Sequence, residues 1–124
     1  MVGGHRRWLP VGVLWAVAEA AVRVGLGKFK PQDLANTAWA FATAGHTAPA
    51  LLDAIAAAAV RSGLRDFSPQ ALANTVWAFA TACHKAPALL DAIAEAAVRS
   101  GLRDFTPQGL ANTVWAFATA DHTE

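Results

Sequence analysis

Cysteine is nearly absent from this chain of 124 residues. Cys83 stands alone, so no intrachain disulfide forms and the framework of a small secreted scaffold is excluded. A surplus of charge is missing too. Ten Lys and Arg face nine Asp and Glu, a formal net charge of +1, and that balance singles out no nucleic acid, membrane or acidic partner. Period-two alternation between turn signals is nowhere found, so no sheet is expected. The opening stretch "MVGGHRRWLPVGVLWAVAEAA" imitates a secretory signal, yet Glu19 interrupts its apolar run, which is too short to span a bilayer. No carboxylate pair, triad or phosphate-cradling loop is spelled out, which argues against an enzyme and against any cofactor or small-molecule substrate.

What the chain has in abundance is apolar residues and repetition. Hydrophobic residues make up 55 % and charged ones 15 %, which excludes disorder and suits closely packed helices. "LANTVWAFATA" runs from Leu72 to Ala82 and again from Leu110 to Ala120, with "LANTAWAFATA" beginning at Leu34. Phe29, Phe67 and Phe105 share this 38-residue period, as do Pro31, Pro69 and Pro107, and Trp39, Trp77 and Trp115. Residues 29–66 and 67–104 differ only at Lys30/Ser68, Asp33/Ala71, Ala38/Val76, Gly45/Cys83, Thr47/Lys85 and Ala57/Glu95. The signal-like stretch then aligns with the second half of an earlier unit. The expected organisation is an N-terminal segment 1–10, a partial unit 11–28, units 29–66 and 67–104, and a partial unit 105–124. A chain that starts and stops inside a unit reads as a fragment of a longer array.

Each unit reads as two helices. Ser68-Pro69 and Thr106-Pro107 supply an N-cap and a proline at the first helical position, while Lys30-Pro31 lacks the capping hydroxyl. Gly63 and Gly101 fit C-terminal stops, with Arg61 and Arg99 in the last turns. Helices are expected at about 11–24, 31–44, 49–62, 69–82, 87–100 and 107–120. On a helical wheel Leu72, Ala73, Val76, Trp77, Phe79 and Ala80 fill one arc of roughly 160°. Gln70, Ala71, Asn74, Thr75, Ala78 and Thr81 fill the opposite, polar side. In the other helix type Leu90, Ile93, Ala94 and Ala97 point inward and Asp91, Glu95 and Arg99 outward. Neither helix hides its apolar face alone, and stacking does so. The expected fold is all-α, an α-solenoid of about two and a half to three 38-residue units, with Phe67, Leu102 and Trp77 as packing anchors.

His46, His84 and His122 recur once per unit, about 10 Å or more apart by helix packing distances. Ligands of one metal ion lie about 2 Å from it, so these histidines are read as structural or capping. The Trp and Phe ladder can stack bases but reads first as core. Arg61, Arg65, Arg99 and Arg103 either touch phosphates or pair with Asp66 and Asp104 at the surface. On the polar side Gln32 and Asn36, Gln70 and Asn74, and Gln108 and Asn112 sit beside small residues. Their amides offer donor and acceptor together, as base-edge reading requires, and serve equally as a hydrogen-bond ladder between units. The slot Asp33, Ala71, Gly109 varies beside them and is the candidate variable letter of a modular code; neutral drift explains the same pattern.

The phrase Pro-Gln-x-Leu-Ala-Asn-Thr-x-Trp-Ala-Phe at 31–41, 69–79 and 107–117 resembles the octotricopeptide-type repeats of organellar RNA-binding proteins. It is similar also to the leucine-rich repeats of FAST-kinase-like proteins and to RNA-editing substrate-binding complex subunits. The likeness covers about residues 11–124. It implies binding of single-stranded organellar RNA in processing, stability or translation, with no catalysis in the repeats. It implies a mitochondrial matrix setting ahead of the chloroplast stroma, and partners among proteins of RNA-processing complexes. Neither a RAP-type domain nor an organellar presequence is visible. The alternative is a helical protein-interaction scaffold.

Overall fold

A computed structural model describes residues 8–45 and 48–122, with side chains at 12–45 and 48–120. The fold is all-α. Its helices are α1 (Trp8–Val24), α2 (Pro31–Ala44), α3 (Pro49–Ser62), α4 (Pro69–Thr81), α5 (Pro87–Ser100) and α6 (Pro107–His122). No strand occurs among the described residues. Helix α1 begins at Trp8, ahead of the expected 11, while the bounds of α2 to α6 follow the sequence signals closely, because prolines set their starts. Proline has no N–H to lose in the first turn and its φ is already helical. Glycines set most of the stops: Gly45, Gly63 and Gly101 adopt φ of 70°, 77° and 81°. Helix α4 ends differently. Cys83 takes the left-handed position at φ 56°, and its N–H and that of His84 bond back to the carbonyls of Ala80 and Phe79.

Helices α2, α4 and α6 pack side by side in one row, and α1, α3 and α5 in another. The rows touch through α2 on α3 and α4 on α5. Between them lies one core, built from Leu34, Ala38 and Phe41 of α2, Leu51, Leu52 and Ile55 of α3, Leu72, Val76 and Phe79 of α4, and Leu89 and Ile93 of α5. Phe67 and Phe105, in the links that enter α4 and α6, are buried as expected of anchors.

Three expectations about faces need correction. Ala71, Thr75 and Ala78, placed by the wheel on the polar side of α4, are buried. Helix α4 has a neighbour on each flank as well as α5 beneath it, so its buried surface wraps well beyond a single stripe. Small residues on both flanks permit that close approach. A side chain added at Gly109 would come within 3.8 Å of the Ala73 methyl, so the Ala73 flank faces α6. Thr81 also turns inward, its Oγ1 buried without a hydrogen-bond partner. Second, Leu102 is 39 % exposed, whereas Leu64, its counterpart, is 2 % exposed. The third concerns α5, whose buried set is Leu89, Ile93, Ala96 and Ala97, a face turned from the expected one. Leu90 and Ala94 are only partly covered, while Asp91, Glu95 and Arg99 are exposed as expected.

Candidate functional site

The surface that α4 leaves uncovered is a narrow strip of Gln70, Asn74 and the edge of Trp77. Residues 70, 74 and 77 are spaced by four and three, so they stand one above another on a helix. The strip continues onto both neighbours. A cavity of about 800 Å³ is lined by Asn36 and Trp39 of α2, Gln70, Ala73 and Asn74 of α4, and Gln108, Gly109 and Asn112 of α6. The links into α4 and α6 close one end of it with Ser68, Asp104, Phe105 and Thr106. A second cavity of about 290 Å³ continues the groove, adding Gln32, Ala35 and Ala71 to Asn36, Gln70 and Asn74. The structure therefore brings Gln32, Asn36, Gln70, Asn74, Gln108 and Asn112 to one groove across three helices. No hydrogen bond between these amides joins one helix to the next among the described residues, so they do not form the side-chain ladder that the sequence also allowed.

The slot of Asp33, Ala71 and Gly109 behaves differently. The Asp33 carboxylate accepts the Lys30 backbone N–H at 3.0 Å, supplying from inside the helix the cap that lysine cannot. Where the N-cap is a hydroxyl, the roles reverse. Ser68 Oγ accepts the Ala71 N–H at 3.1 Å and Thr106 Oγ1 the Gly109 N–H at 2.9 Å. Ala71 is 5 % exposed. This slot is thus occupied by capping at 33 and by close helix packing at 71 and 109, and it reaches the groove only along its edge.

Electrostatics around the groove are sparse. Its lining holds one carboxylate, Asp104, and no Lys or Arg. Arg65 and Arg103 are exposed in the links before α4 and α6, and neither pairs with Asp66 or Asp104. A side-chain hydrogen bond between His84 Nε2 and Asp53 Oδ1 at 2.7 Å instead ties the end of α4 to α3. The His84 ring also meets Phe79 edge-on at 5.7 Å. That contact gives His84 the structural role expected of it. His46 lies outside the described residues, as does the side chain of His122. No group of three or more His, Cys, Asp or Glu among the described residues is placed to hold a metal ion, and no described helix is long and apolar enough to cross a membrane.

The tryptophans, read first as core with Trp77 as a packing anchor, need correction. Trp39 is 45 % and Trp115 47 % exposed, and Trp77 is only partly buried. The Trp39 and Trp77 rings lie 6.2 Å apart at an interplanar angle of 33°. Their position at the edge of the apolar arc, next to glutamine, was the available signal.

Two rows of paired helices carrying a groove of amides and indoles define a helical protein with an extended surface rather than an enclosed site. The family described as "Protein of unknown function (DUF1601)" matches residues 20–37, 50–76 and 88–114, more than half of the chain, and the chain belongs to that family. The two longer stretches are offset by the 38-residue period, each running from the start of α3 or α5 into the following α4 or α6. No curated protein and no solved structure shows significant similarity to it.

Proposed function

We propose that the chain is a segment of an α-solenoid of two-helix units that binds single-stranded RNA along the groove over α2, α4 and α6. The observation that carries this reading is the gathering of Asn36, Gln70, Asn74, Gln108 and Asn112 in one cavity of about 800 Å³. Each amide offers a donor and an acceptor to a base edge, and the alanines beside them leave room for a flat ligand. Arg65 and Arg103, exposed in the links before α4 and α6 though outside the groove lining, are cations that would suit phosphates. The reading extends the resemblance to octotricopeptide-type repeats, and with it the organellar setting, the mitochondrial matrix first. The family match lends that resemblance no support of its own. The chain acts here as a binder, without catalysis.

A second reading has an observation of its own. Asp104 lines the groove and no cation does, which suits a peptide of neutral or basic character and a role as a protein-interaction scaffold. Titration of the 124-residue chain with fluorescent single-stranded RNA at several salt concentrations separates the two. RNA affinity should fall as salt rises, with a log–log slope of about −0.7 per phosphate contacted. Asn74→Ala should weaken binding by about 1–3 kcal/mol with the melting temperature nearly unchanged. Absence of RNA binding at low salt would leave the peptide reading.

A further inference from the structure

We infer that the chain associates head to tail: α6 of one copy and α1 of a second copy complete one two-helix unit between them. Helix α1 aligns with the second helix of a unit, Val13 and Val17 standing 38 residues before Leu51 and Ile55 of α3, whereas α6 repeats the first helix. In the complete units the first helix packs on the second, α2 on α3 and α4 on α5. Neither α1 nor α6 has a partner of that kind and comparable closeness among the described residues. The side chains that such a partner covers are bare on both helices. Leu51 and Ile55 are 1 % and 0 % exposed, but Val13 and Val17 are 57 % and 46 %. Leu72 and Val76 are buried in the core that Leu89 and Ile93 of α5 share, but Leu110 and Val114 stand in solvent. Exposed apolar patches of this kind mark contact surfaces. Each bare face carries the residues whose counterparts cover the other, so the occupant that fits both is a second copy of this chain.

The links give the same register independently. Leu26 shares a cavity with Ala58 and Arg61 of α3, and Leu64 shares one with Ala96 and Arg99 of α5. Leu102 lacks that cover and is partly exposed, and Ala20 and Arg23 of an incoming α1 stand in the matching slots. In the row of first helices, Ala73 and Ala80 of α4 are buried, while Ala111 and Ala118 of α6 are exposed. At the opposite end of that row Ala40 of α2 is exposed, whereas Ala78 and Ala116 in its slot are buried. Helix α2 of the second copy thus lies beside α6 as α4 lies beside α2. Asp33 takes the slot of Ala71 and Gly109 at this junction. It sits in the first turn, bonded to the Lys30 N–H, and stays at the rim where water reaches it. Such a contact is heterologous, so copies add one after another into a ring or an open filament. The row of first helices then runs from copy to copy, whatever the groove over it binds.

The test follows the size of the whole chain by analytical ultracentrifugation from about 1 μM to about 1 mM. The average mass should rise about twofold or more across that range. Val17→Lys blocks the α1 face and Val114→Lys the α6 face. Both positions are exposed in the single chain, so circular dichroism and melting temperature at the lowest concentration should not change. Each variant alone should stay monomeric, since head-to-tail contact needs both faces. Mixed in equal amounts, they should form a dimer and nothing larger, joined through the intact α6 face of Val17→Lys and the intact α1 face of Val114→Lys. Val13→Lys and Leu110→Lys repeat the measurement on the same two faces should either variant fold poorly. An unaltered chain that stays monomeric to the highest concentration overturns the inference. So does association of Val17→Lys alone, which means a symmetric contact of α6 with α6, or of Val114→Lys alone, which means α1 with α1. A mixture that yields no dimer overturns it as well.

Discussion

At the scale of single residues, the positions that vary between units obey capping more than coding. Lys30 is followed by Asp33, Ser68 by Ala71 and Thr106 by Gly109, so the starts of α2, α4 and α6 each carry one capping group, either at the N-cap or three residues later. Removing Ser68 Oγ leaves the Ala71 N–H without its acceptor. Ser68→Ala should cost about 1 kcal/mol in chemical denaturation, and Asp33→Ala should cost less, because its bond lies in solvent. In the variant Lys30→Ser the Asp33→Ala loss should shrink, since the new hydroxyl takes over as in the next unit. Gly109 tests the same logic from the other side. A methyl there meets Thr106 Oγ1 at 3.2 Å, a tight approach, yet Ala71 occupies the equivalent place beside Ser68. Gly109→Ala should therefore raise stability by about 0.5–1 kcal/mol through helix propensity. A loss on thermal melting would mean that the threonine methyl prevents the small shift serine permits. The sequence showed that Ser68 and Thr106 cap; that Asp33 caps was hidden, because it required seeing the Lys30 N–H turned toward it.

Among the elements, starts and stops were legible because proline and glycine act locally, on backbone angles fixed by their own chemistry. Faces were legible only where one side of a helix is covered. A wheel assigns a single buried arc, and α4 has three covered sides, so Ala71, Thr75 and Ala78 went in where solvent was expected. Thr75 pays no penalty for this, since its hydroxyl donates to the Ala71 carbonyl at 2.7 Å. The exits from α3 and α5 hold another local conflict. Leu64 and Leu102 follow a left-handed glycine and are themselves left-handed, with φ of 61° and 62°, which costs a residue with a Cβ about 1–2 kcal/mol. Ser62 and Ser100 brace the turns by accepting the Leu64 and Leu102 N–H groups. Leu64 offsets the strain by burial; Leu102 is partly in water and offsets less. Leu64→Gly should then destabilise by roughly 1–3 kcal/mol, while Leu102→Gly should change stability by less than about 1 kcal/mol in either direction. Equal losses at the two sites would show that the turn, not the burial, sets the energy.

For the whole molecule, the same eleven residues stand in two different environments. In α4 the phrase Leu72–Ala82 is flanked by α2 and α6; in α6 the phrase Leu110–Ala120 has α4 on one side, and no described helix packs on the other. Leu72 is accordingly buried and Leu110 38 % exposed, though the residues that follow each, through Ala82 and Ala120, are identical. Val76 and Val114 divide in the same way, fully buried against mostly exposed. Within the shared phrase local propensity is equal, so a difference between the same substitution at its two copies comes from stacking. Leu72→Ala should cost about 2–5 kcal/mol, because it opens a cavity beneath three neighbours. The identical change Leu110→Ala should cost less than about 1 kcal/mol, as surface substitutions do. Native-state hydrogen exchange should follow the same order, with the amides of α4 protected to near the global unfolding free energy and those of α6 exchanging through local opening. If Leu72→Ala and Leu110→Ala lower stability equally and α4 and α6 exchange alike, the helices behave as independent units, and the continuous groove that the RNA proposal needs loses its rigid support.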